Sequence, residues 1–387
     1  MDVQATDFLG AFDNIDESQK LIKETVRKFV TEKFQPNITE NFEKGYFPKE
    51  YIKEMGNLGL LGCNLTGYGC AGLDEVSYGL IMKELERGDS GLRSFASVQS
   101  SLAMYAIHAF GSEKQKSEFL PHMAKGEFIG CFGLTEPDFG SNPAGMKTFA
   151  KKDGDDWVLN GSKTWITNAP IANVAIVWAQ TESGIRGFLV EKGTKGFSAP
   201  EIHHKLSLRA SITGSLYFDN CRIPKSNMLE NTVGLKNALM CLNQARFGII
   251  FGVLGAAEDC LNEALSYTKE RIMFDKPLAS FQLIQRKLVI MATEIAKGNL
   301  LAMQLAKLKH EKTVQPAQIS MGKQNNVQIA LDCARTTRDI LGANGISGEY
   351  RCMRHMCNLE SVYTYEGTND IHLLVVGQQL TGIPAFE

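Results

Sequence analysis

Apolar residues near the start of the chain recur at helical spacing, with Leu21, Ile22, Thr25, Val26, Phe29, Val30 and Phe34 forming one stripe. The stripe predicts a helix beginning near Ser18 and ending before Pro36. Helical patterns continue through Ala103 to Lys125. Between about 130 and 222 the texture changes to short runs rich in Val, Ile, Trp and Phe, such as Val174–Trp178, Gly187–Val190 and Ser215–Phe218. Asp-Gly, Asn-Gly and Lys-Gly turns separate them, which predicts an antiparallel β region. After about 233 the helical texture returns: Ile284, Leu288, Met291, Ile295, Gly298, Ala302 and Leu305 alternate by four and three, the period of a bundle helix. Gly248, Gly252, Gly255 and Ala256 put small residues on adjoining turns, where helix backbones can approach closely. The expected architecture is therefore α+β and mostly α: an all-α part over 1–128, a β-barrel-like part over 129–232 and a helical bundle over 233–387.

Composition narrows the class. With 41 basic against 43 acidic side chains the net charge is −2, a balance that argues against nucleic-acid binding. Hydrophobic residues make up 44% and charged ones 22%, enough to bury a core and far from the signature of disorder. The nine cysteines include no C-x-x-C pair, so they read as reduced thiols in a cytoplasmic protein. A mature mitochondrial matrix form remains compatible, although the first twenty residues carry neither a secretory nor an Arg-rich transit pattern. No run of about 18 apolar residues predicts a membrane span. The seven histidines include no H-E-x-x-H, and no metal site is expected. Gly67–Gly72 matches G-x-G-x-x-G, but its context lacks the preceding strand and the acidic residue about twenty positions on, so it reads as a glycine-rich loop.

The informative stretches are Phe132–Pro143, Asn160–Asn168, Arg271–Phe274 with Gln282, Leu341–Gly345 and Tyr363–Asp370. Taken singly, each is a turn, a strand pair or a helix cap. Together they resemble the acyl-CoA dehydrogenase family, in order and at its spacing, over nearly the whole chain. Glu86–Ser101, Leu242–Arg246, Thr364–Gly367 and the terminal Thr381–Phe386 are most similar to the glutaryl-CoA dehydrogenases. The resemblance implies a middle β-domain between an N-terminal helical domain and a C-terminal four-helix bundle, non-covalent FAD, and a homotetramer.

It also implies site residues. Glu366 corresponds to the base that removes an α-proton from an acyl thioester, with its own backbone N–H as a donor to the thioester oxygen. Some relatives carry the base just before the arginine that corresponds to Arg246; this chain has Ala245 there, leaving one candidate. Arg93 corresponds to the residue that pairs with a distal substrate carboxylate. If Glu86–Ser97 is one helix, Glu86, Ser90, Arg93 and Ser97 share a face, and the simpler alternative is an internal Glu86–Arg93 ion pair. Ser94, Ser141, Asn243, Tyr365 and Gly367 complete the implied substrate set, with Asn243 and Arg246 beside the pantetheine channel. For FAD the match implies Phe132, Leu134, Thr135, Gly140, Ser141, Trp165, Ile166, Thr167, Thr368 and Asp370. Leu341 and Ala343 belong to the same implied set, and Arg271, Phe274, Gln282, Gly342 and Gly345 would come from a neighbouring subunit. The chain departs from the commonest family pattern at Asp138, Phe139, Asn142, Asp275 and Ala343.

The implied activity is FAD-dependent oxidative decarboxylation of glutaryl-CoA to crotonyl-CoA, with electron-transferring flavoprotein as acceptor. Alternatives are a non-decarboxylating relative, a short-chain acyl-CoA dehydrogenase with a structural Arg93, and a non-catalytic scaffold of the same fold.

Overall fold

The computed structural model describes residues 4–385, so Phe386 lies outside the described residues. Among the described residues seven α-helices come first: α1 (Glu17–Phe29), α2 (Ile38–Lys44), α3 (Ile52–Asn57), α4 (Glu75–Gly88), α5 (Ser90–Ser97), α6 (Tyr105–Phe110) and α7 (Glu113–Ala124). A reciprocal capping box starts α1, the Asp16 carboxylate accepting from the Gln19 N–H and the Gln19 side chain accepting from the Asp16 N–H. The stripe buries Val26, Phe29, Val30 and Phe34, whereas Leu21 and Thr25 face outward. Gly67–Gly72 is a loop with left-handed Gly67, Tyr68, Gly69 and Gly72, preceded by a helix and not a strand.

The expected single helix over Glu86–Ser97 is interrupted. Asp89 is fully extended (φ −167°, ψ 142°) and caps α5 through its Oδ1, which accepts from Gly91 N–H at 2.7 Å. Its Oδ2 accepts from Arg354 Nη1 at 2.7 Å and Asn358 Nδ2 at 2.8 Å, both from the C-terminal part. The break is therefore an anchored elbow. Beyond it, α5 runs without interruption through a π-helical turn, Val98–Met104, into α6.

The middle part holds β1 (Gly130–Gly133), β2 (Phe149–Asp153), β3 (Asp156–Thr167), β4 (Val174–Thr181), β5 (Gly184–Glu191), β6 (Phe197–Ser198) and β7 (Thr213–Ile223). They form one sheet in the order β1-β4-β2-β3-β7-β6, with β5 also paired to β4. The sheet is mixed: β2–β3, β3–β7, β4–β5 and β6–β7 are antiparallel, but β1 pairs in parallel with β4 along Gly130–Gly133, and β2 meets β4 in parallel at Phe149. Residues 174–179 are buried on both faces, as a strand at such a junction must be. The β3–β7 register shifts between Lys163 and Ile166. That irregularity leaves Trp165 left-handed (φ 58°) with its side chain turned out of the sheet, 62% exposed.

The C-terminal part comprises α8 (Lys236–Glu270), the hairpin β8 (Ile272–Met273) and β9 (Lys276–Pro277), α9 (Gln282–His310), α10 (Pro316–Ile340), α11 (Cys352–Thr364) and α12 (Asn369–Thr381). By length and mean hydropathy α8 and α9 are each long and apolar enough to cross a bilayer, a test that the core helix of a globular protein also passes; most of the apolar stretch of α8 is buried. The small residues of α8 explain part of that burial. A Cβ on Gly255 would lie 2.0 Å from the Lys83 carbonyl oxygen of α4, and one on Gly248 would lie 2.6 Å from the Tyr78 hydroxyl. Gly255→Ala must push α8 and α4 apart, costing about 1–3 kcal/mol. Thermal unfolding of the flavin-loaded protein should show a lowered midpoint for it, while Gly377→Ala in α12, whose Cβ would meet nothing within 4 Å, should leave the midpoint unchanged or slightly raised.

Candidate active site

Helix α11 ends at Thr364 and α12 begins at Asn369, where the Thr368 hydroxyl caps it by accepting from Ile371 N–H at 3.2 Å. The four residues between must reverse the chain within one turn. Glu366 does so in a left-handed conformation (φ 52°), followed by Gly367 at φ 93°. A non-glycine residue held there costs about 1–2 kcal/mol, so the surroundings must over-determine it. They do: Arg246 Nε of α8 donates to the Glu366 carbonyl at 2.7 Å, and its Nη1 donates to Asn243 Oδ1 at 3.2 Å. From α10, Lys323 Nζ donates to the carbonyls of Tyr365 (3.1 Å) and Gly367 (2.9 Å). His372 of α12 is fully buried against the turn, where a Cβ on Gly367 would lie 2.9 Å from its Nε2. Gly367 is thus fixed both by its backbone conformation and by space.

The Glu366 carboxyl is the turn's chemically active group. Its Oε2 is shut off from solvent without a hydrogen-bond partner. Burial raises its pKa above the ordinary glutamate range, although the positive charges of Arg93, Arg246 and Lys323 oppose the rise. Burial acts on the bases in the other direction: Lys323 is pulled down to about 7 and His372 to about 3, so the imidazole is neutral. A carboxylate with raised proton affinity, backed by cations, can take a proton from a weak carbon acid and keep it.

Arg93 and Glu86 face each other across the elbow. Both are fully buried, Arg93 Nε donating to Glu86 Oε2 at 2.6 Å and Nη2 to Oε1 at 3.2 Å. The simple ion-pair alternative is therefore present, but it does not exhaust the guanidinium. Nη2 also donates to the Tyr365 hydroxyl, which lies 3.2 Å from Ser94 Oγ. Nη1 of Arg93 and Oγ of Ser97 remain buried with no partner among the described residues. A Cβ on Gly252 would lie 2.3 Å from Glu86 Oε2, so this glycine of α8 makes room for the pair. Glu86, Arg93, Ser94, Tyr365, Glu366, Gly367, Arg246 and Asn243 thus form one connected site, assembled from α4, α5, α8 and the turn before α12.

Of the expected flavin residues, Phe132 and Leu134 are buried in one apolar cluster with Trp178 and Ile176. The Thr135 carbonyl accepts from Thr164 N–H at 2.9 Å, which brings Thr135 beside Trp165, Ile166 and Thr167 at the end of β3. Gly140 and Ser141 are exposed on the loop beyond. Thr368 and Asp370 follow Gly367 at the start of α12. The remaining group stands elsewhere in the chain: Arg271, Phe274 and Gln282 lie on or beside the β8–β9 hairpin, and Leu341, Gly342, Ala343 and Gly345 in the turn after α10. Among the described residues no hydrogen bond joins this group to the Phe132–Thr167 group. Phe274 and Asp275 are both left-handed, as a two-residue hairpin turn demands, and Phe274 is 83% exposed.

Family models cover nearly the whole chain: the acyl-CoA dehydrogenase N-terminal domain matches residues 16–127, the middle domain 131–221 and the C-terminal domain 232–381. The chain belongs to the acyl-CoA dehydrogenase family. It is 36% identical to the human mitochondrial short-chain specific acyl-CoA dehydrogenase, covering 95% of this chain and 90% of that protein. Among solved structures, a glutaryl-CoA dehydrogenase from Mycobacterium smegmatis superposes with a TM-score of 0.98 at 54% identity, covering 99% of both chains. A glutaryl-CoA dehydrogenase from the same organism in complex with FADH2 is 56% identical, also with a TM-score of 0.98, covering 99% of this chain and 100% of that one. A glutaryl-CoA dehydrogenase in complex with glutaryl-CoA gives a TM-score of 0.92 at 33% identity, over 95% of this chain and 96% of that one.

Sequence reading missed two residues of this acyl-CoA dehydrogenase site, Lys323 and His372, and two that support the loop after β1. Lys163 Nζ donates to the Leu134 carbonyl at 3.0 Å and to Glu136 Oε1 at 2.9 Å, while Glu136 accepts from the Lys147 and Thr148 N–H groups. The available signal was a charge on an otherwise buried face, since Lys323 follows Ile319 by four positions and precedes Val327 by four. Because Glu366 binds its proton more tightly than an ordinary glutamate, difference infrared spectra between the protein and Glu366→Gln should show a protonated carboxyl band persisting above the usual glutamate range. A band lost within that range would contradict the burial of this group.

Proposed function

We propose that the chain oxidises glutaryl-CoA with FAD and decarboxylates the product to crotonyl-CoA. The observation that carries this reading is the unpartnered buried Nη1 of Arg93, whose Nη2 reaches the Tyr365 hydroxyl next to Glu366. A buried donor without an acceptor costs about 1–3 kcal/mol. A distal carboxylate would satisfy it, whereas a fatty acyl chain would leave it unpaired and add apolar surface beside a charge. Glu86 neutralises Arg93 before substrate arrives, so the site can stay dry and closed without stranding a bare guanidinium.

The flavin fits the residues present. Trp165 offers an exposed flat ring, held left-handed by the irregularity in β3, with Thr135 and Thr167 beside it. Phe274, on an exposed hairpin, suits a surface covered by a second copy of the chain, which supports a homo-oligomer in which neighbouring subunits complete each other's cofactor sites. FAD, when bound, supplies the acceptor for the β-hydride. The protein's own contribution is acid–base and electrostatic. Glu366 removes the α-proton; its backbone N–H and the nearby cations stabilise negative charge on the thioester oxygen. Loss of the β-hydride leaves glutaconyl-CoA, whose carboxylate departs as carbon dioxide with its bonding electrons remaining in a dienolate. The Glu366 carboxyl then returns its proton to the terminal carbon of that dienolate. Electron-transferring flavoprotein is the proposed acceptor for re-oxidation, supported by family membership.

The test compares glutaryl-CoA with butyryl-CoA. Arg93→Met should lower kcat/KM for glutaryl-CoA by roughly 100-fold or more while changing butyryl-CoA turnover far less, since only the former loses a charge-assisted pair. Mass spectrometry after one turnover of the wild-type protein should find crotonyl-CoA. Accumulated glutaconyl-CoA would convict the decarboxylation step, and a wild-type preference for butyryl-CoA would convict the substrate assignment. Glu366→Gln should cost about 100- to 10,000-fold in turnover with either substrate while flavin stays bound.

A further inference from the structure

Lys323 stands in the middle of α10 on a face that buries Ile319, Val327 and Ala330. It is itself fully buried, and no carboxylate among the described residues lies within ion-pair reach of its ammonium. A buried cation without a partner of opposite charge is expensive, and a neutral donor would staple two carbonyls at lower cost. What the ammonium does touch is the backbone on either side of Glu366, through the carbonyls of Tyr365 and Gly367. The carbonyl between them is taken by Arg246. Three successive peptide carbonyls are each held by a cationic side chain.

The consequence follows from peptide geometry. In a trans peptide the carbonyl and the N–H of the next residue point in opposite directions. Fixing the Tyr365 carbonyl toward α10 therefore aims the Glu366 N–H away from α10, and that N–H makes no hydrogen bond with any described residue. It is a free donor whose direction is set by Lys323. We infer that Lys323 is a positioning residue for α-proton removal: it clamps the turn so that the Glu366 N–H is fixed as the donor to the thioester oxygen, and it places positive charge behind that donor. The inference rests on reading Glu366 as the base.

Charge enters as well as geometry. Glu366 is faced by Glu86 and Tyr78 of α4, Arg93 of α5, Arg246 of α8, Lys323 of α10, the neighbouring Tyr365 and the neutral His372 of α12. Removing Lys323 takes away one of three opposing cations, so both the carboxylate and the developing enolate become harder to form. Burial already pulls the ammonium down to about 7, with Glu366 as the main influence holding it up. The clamp and the base are electrostatically linked.

The experiment uses the flavin-loaded protein and a 3-thia acyl-CoA, whose α-proton can be removed but whose third position has no hydride to give. Enolate formation is read from long-wavelength flavin absorbance as a function of pH. Lys323→Met should move the midpoint upward by about one pH unit or more, and lower kcat on the oxidisable substrate by about 10- to 100-fold with KM little changed. A residue that merely stabilised the fold would leave the midpoint in place. Should Lys323→Met fail to hold flavin, Lys323→Gln keeps a shorter neutral donor, and loss of the charge should still raise the midpoint. Glu366→Gln, run in parallel, should form no enolate. An unshifted midpoint in the Lys323 variants with a silent Glu366→Gln overturns the inference alone, whereas an enolate band in Glu366→Gln overturns the reading beneath it.

Discussion

One carboxyl group with its Oε2 shut off from solvent, set among three cationic side chains, is the constraint around which the rest of the site is arranged. Burying Glu366 raises its proton affinity, and Arg93, Arg246 and Lys323 oppose that rise without cancelling it. Desolvation wins on the lysine too, which is pushed the other way. Each group is thus nearer to neutrality than it would be in water, while the cations remain close enough to stabilise negative charge when it appears. A fully solvated glutamate would be a weaker base, and one neutralised by a direct ion pair would be weaker still. The cations avoid that outcome by binding elsewhere: Arg246 and Lys323 to backbone carbonyls, Arg93 to Glu86.

Holding this balance takes pieces far apart in sequence. Asp89 ties the α4–α5 elbow to Arg354 and Asn358 of α11, and α11 runs directly into the turn that bears Tyr365 and Glu366. The same elbow sets Arg93 opposite the Tyr365 hydroxyl. Gly252 and Gly255 let α8 lie against α4, so the helix that carries Arg246 is in register with the one that carries Glu86. A change at the elbow is thus transmitted to both Arg93 and Glu366 through continuous helices.

Much of this was legible in the chain. Helical spacing marks the stripe from Leu21 to Phe34, of which Val26, Phe29, Val30 and Phe34 are buried, and the α9 seam, and the small residues of α8 announce a close helix approach. The residues around Glu366 carry the family match. What stayed hidden depends on partners that a one-dimensional pattern does not name. The short Val-, Ile- and aromatic-rich runs of the middle part show strands, but nothing in them tells β1 to pair in parallel with β4. Glu86, Ser90, Arg93 and Ser97 have helical spacing, and that regularity masked Asp89, although an Asp followed by Ser and Gly is capping chemistry. Lys323 was overlooked because a lysine is ordinarily solvated, and only the buried residues around it in α10 mark it as exceptional.

A site with one competent carboxylate constrains the order of events in the proposed reaction. Ala245, fully buried beside Arg246, offers no second base, and Glu86 is committed to Arg93 through both of its oxygens. The proton that leaves the α-carbon must therefore reside on Glu366 until carbon dioxide has gone, and the same carboxyl must deliver it to the dienolate. A carboxylic acid of ordinary pKa would lose that proton to any water that entered at neutral pH. Burial that raises its proton affinity makes the acid persist, so the feature that strengthens Glu366 as a base also lets it act later as the acid. Water exclusion and acid–base competence are one property of this turn, and both depend on the left-handed Glu366 and the glycine after it staying where the cations hold them.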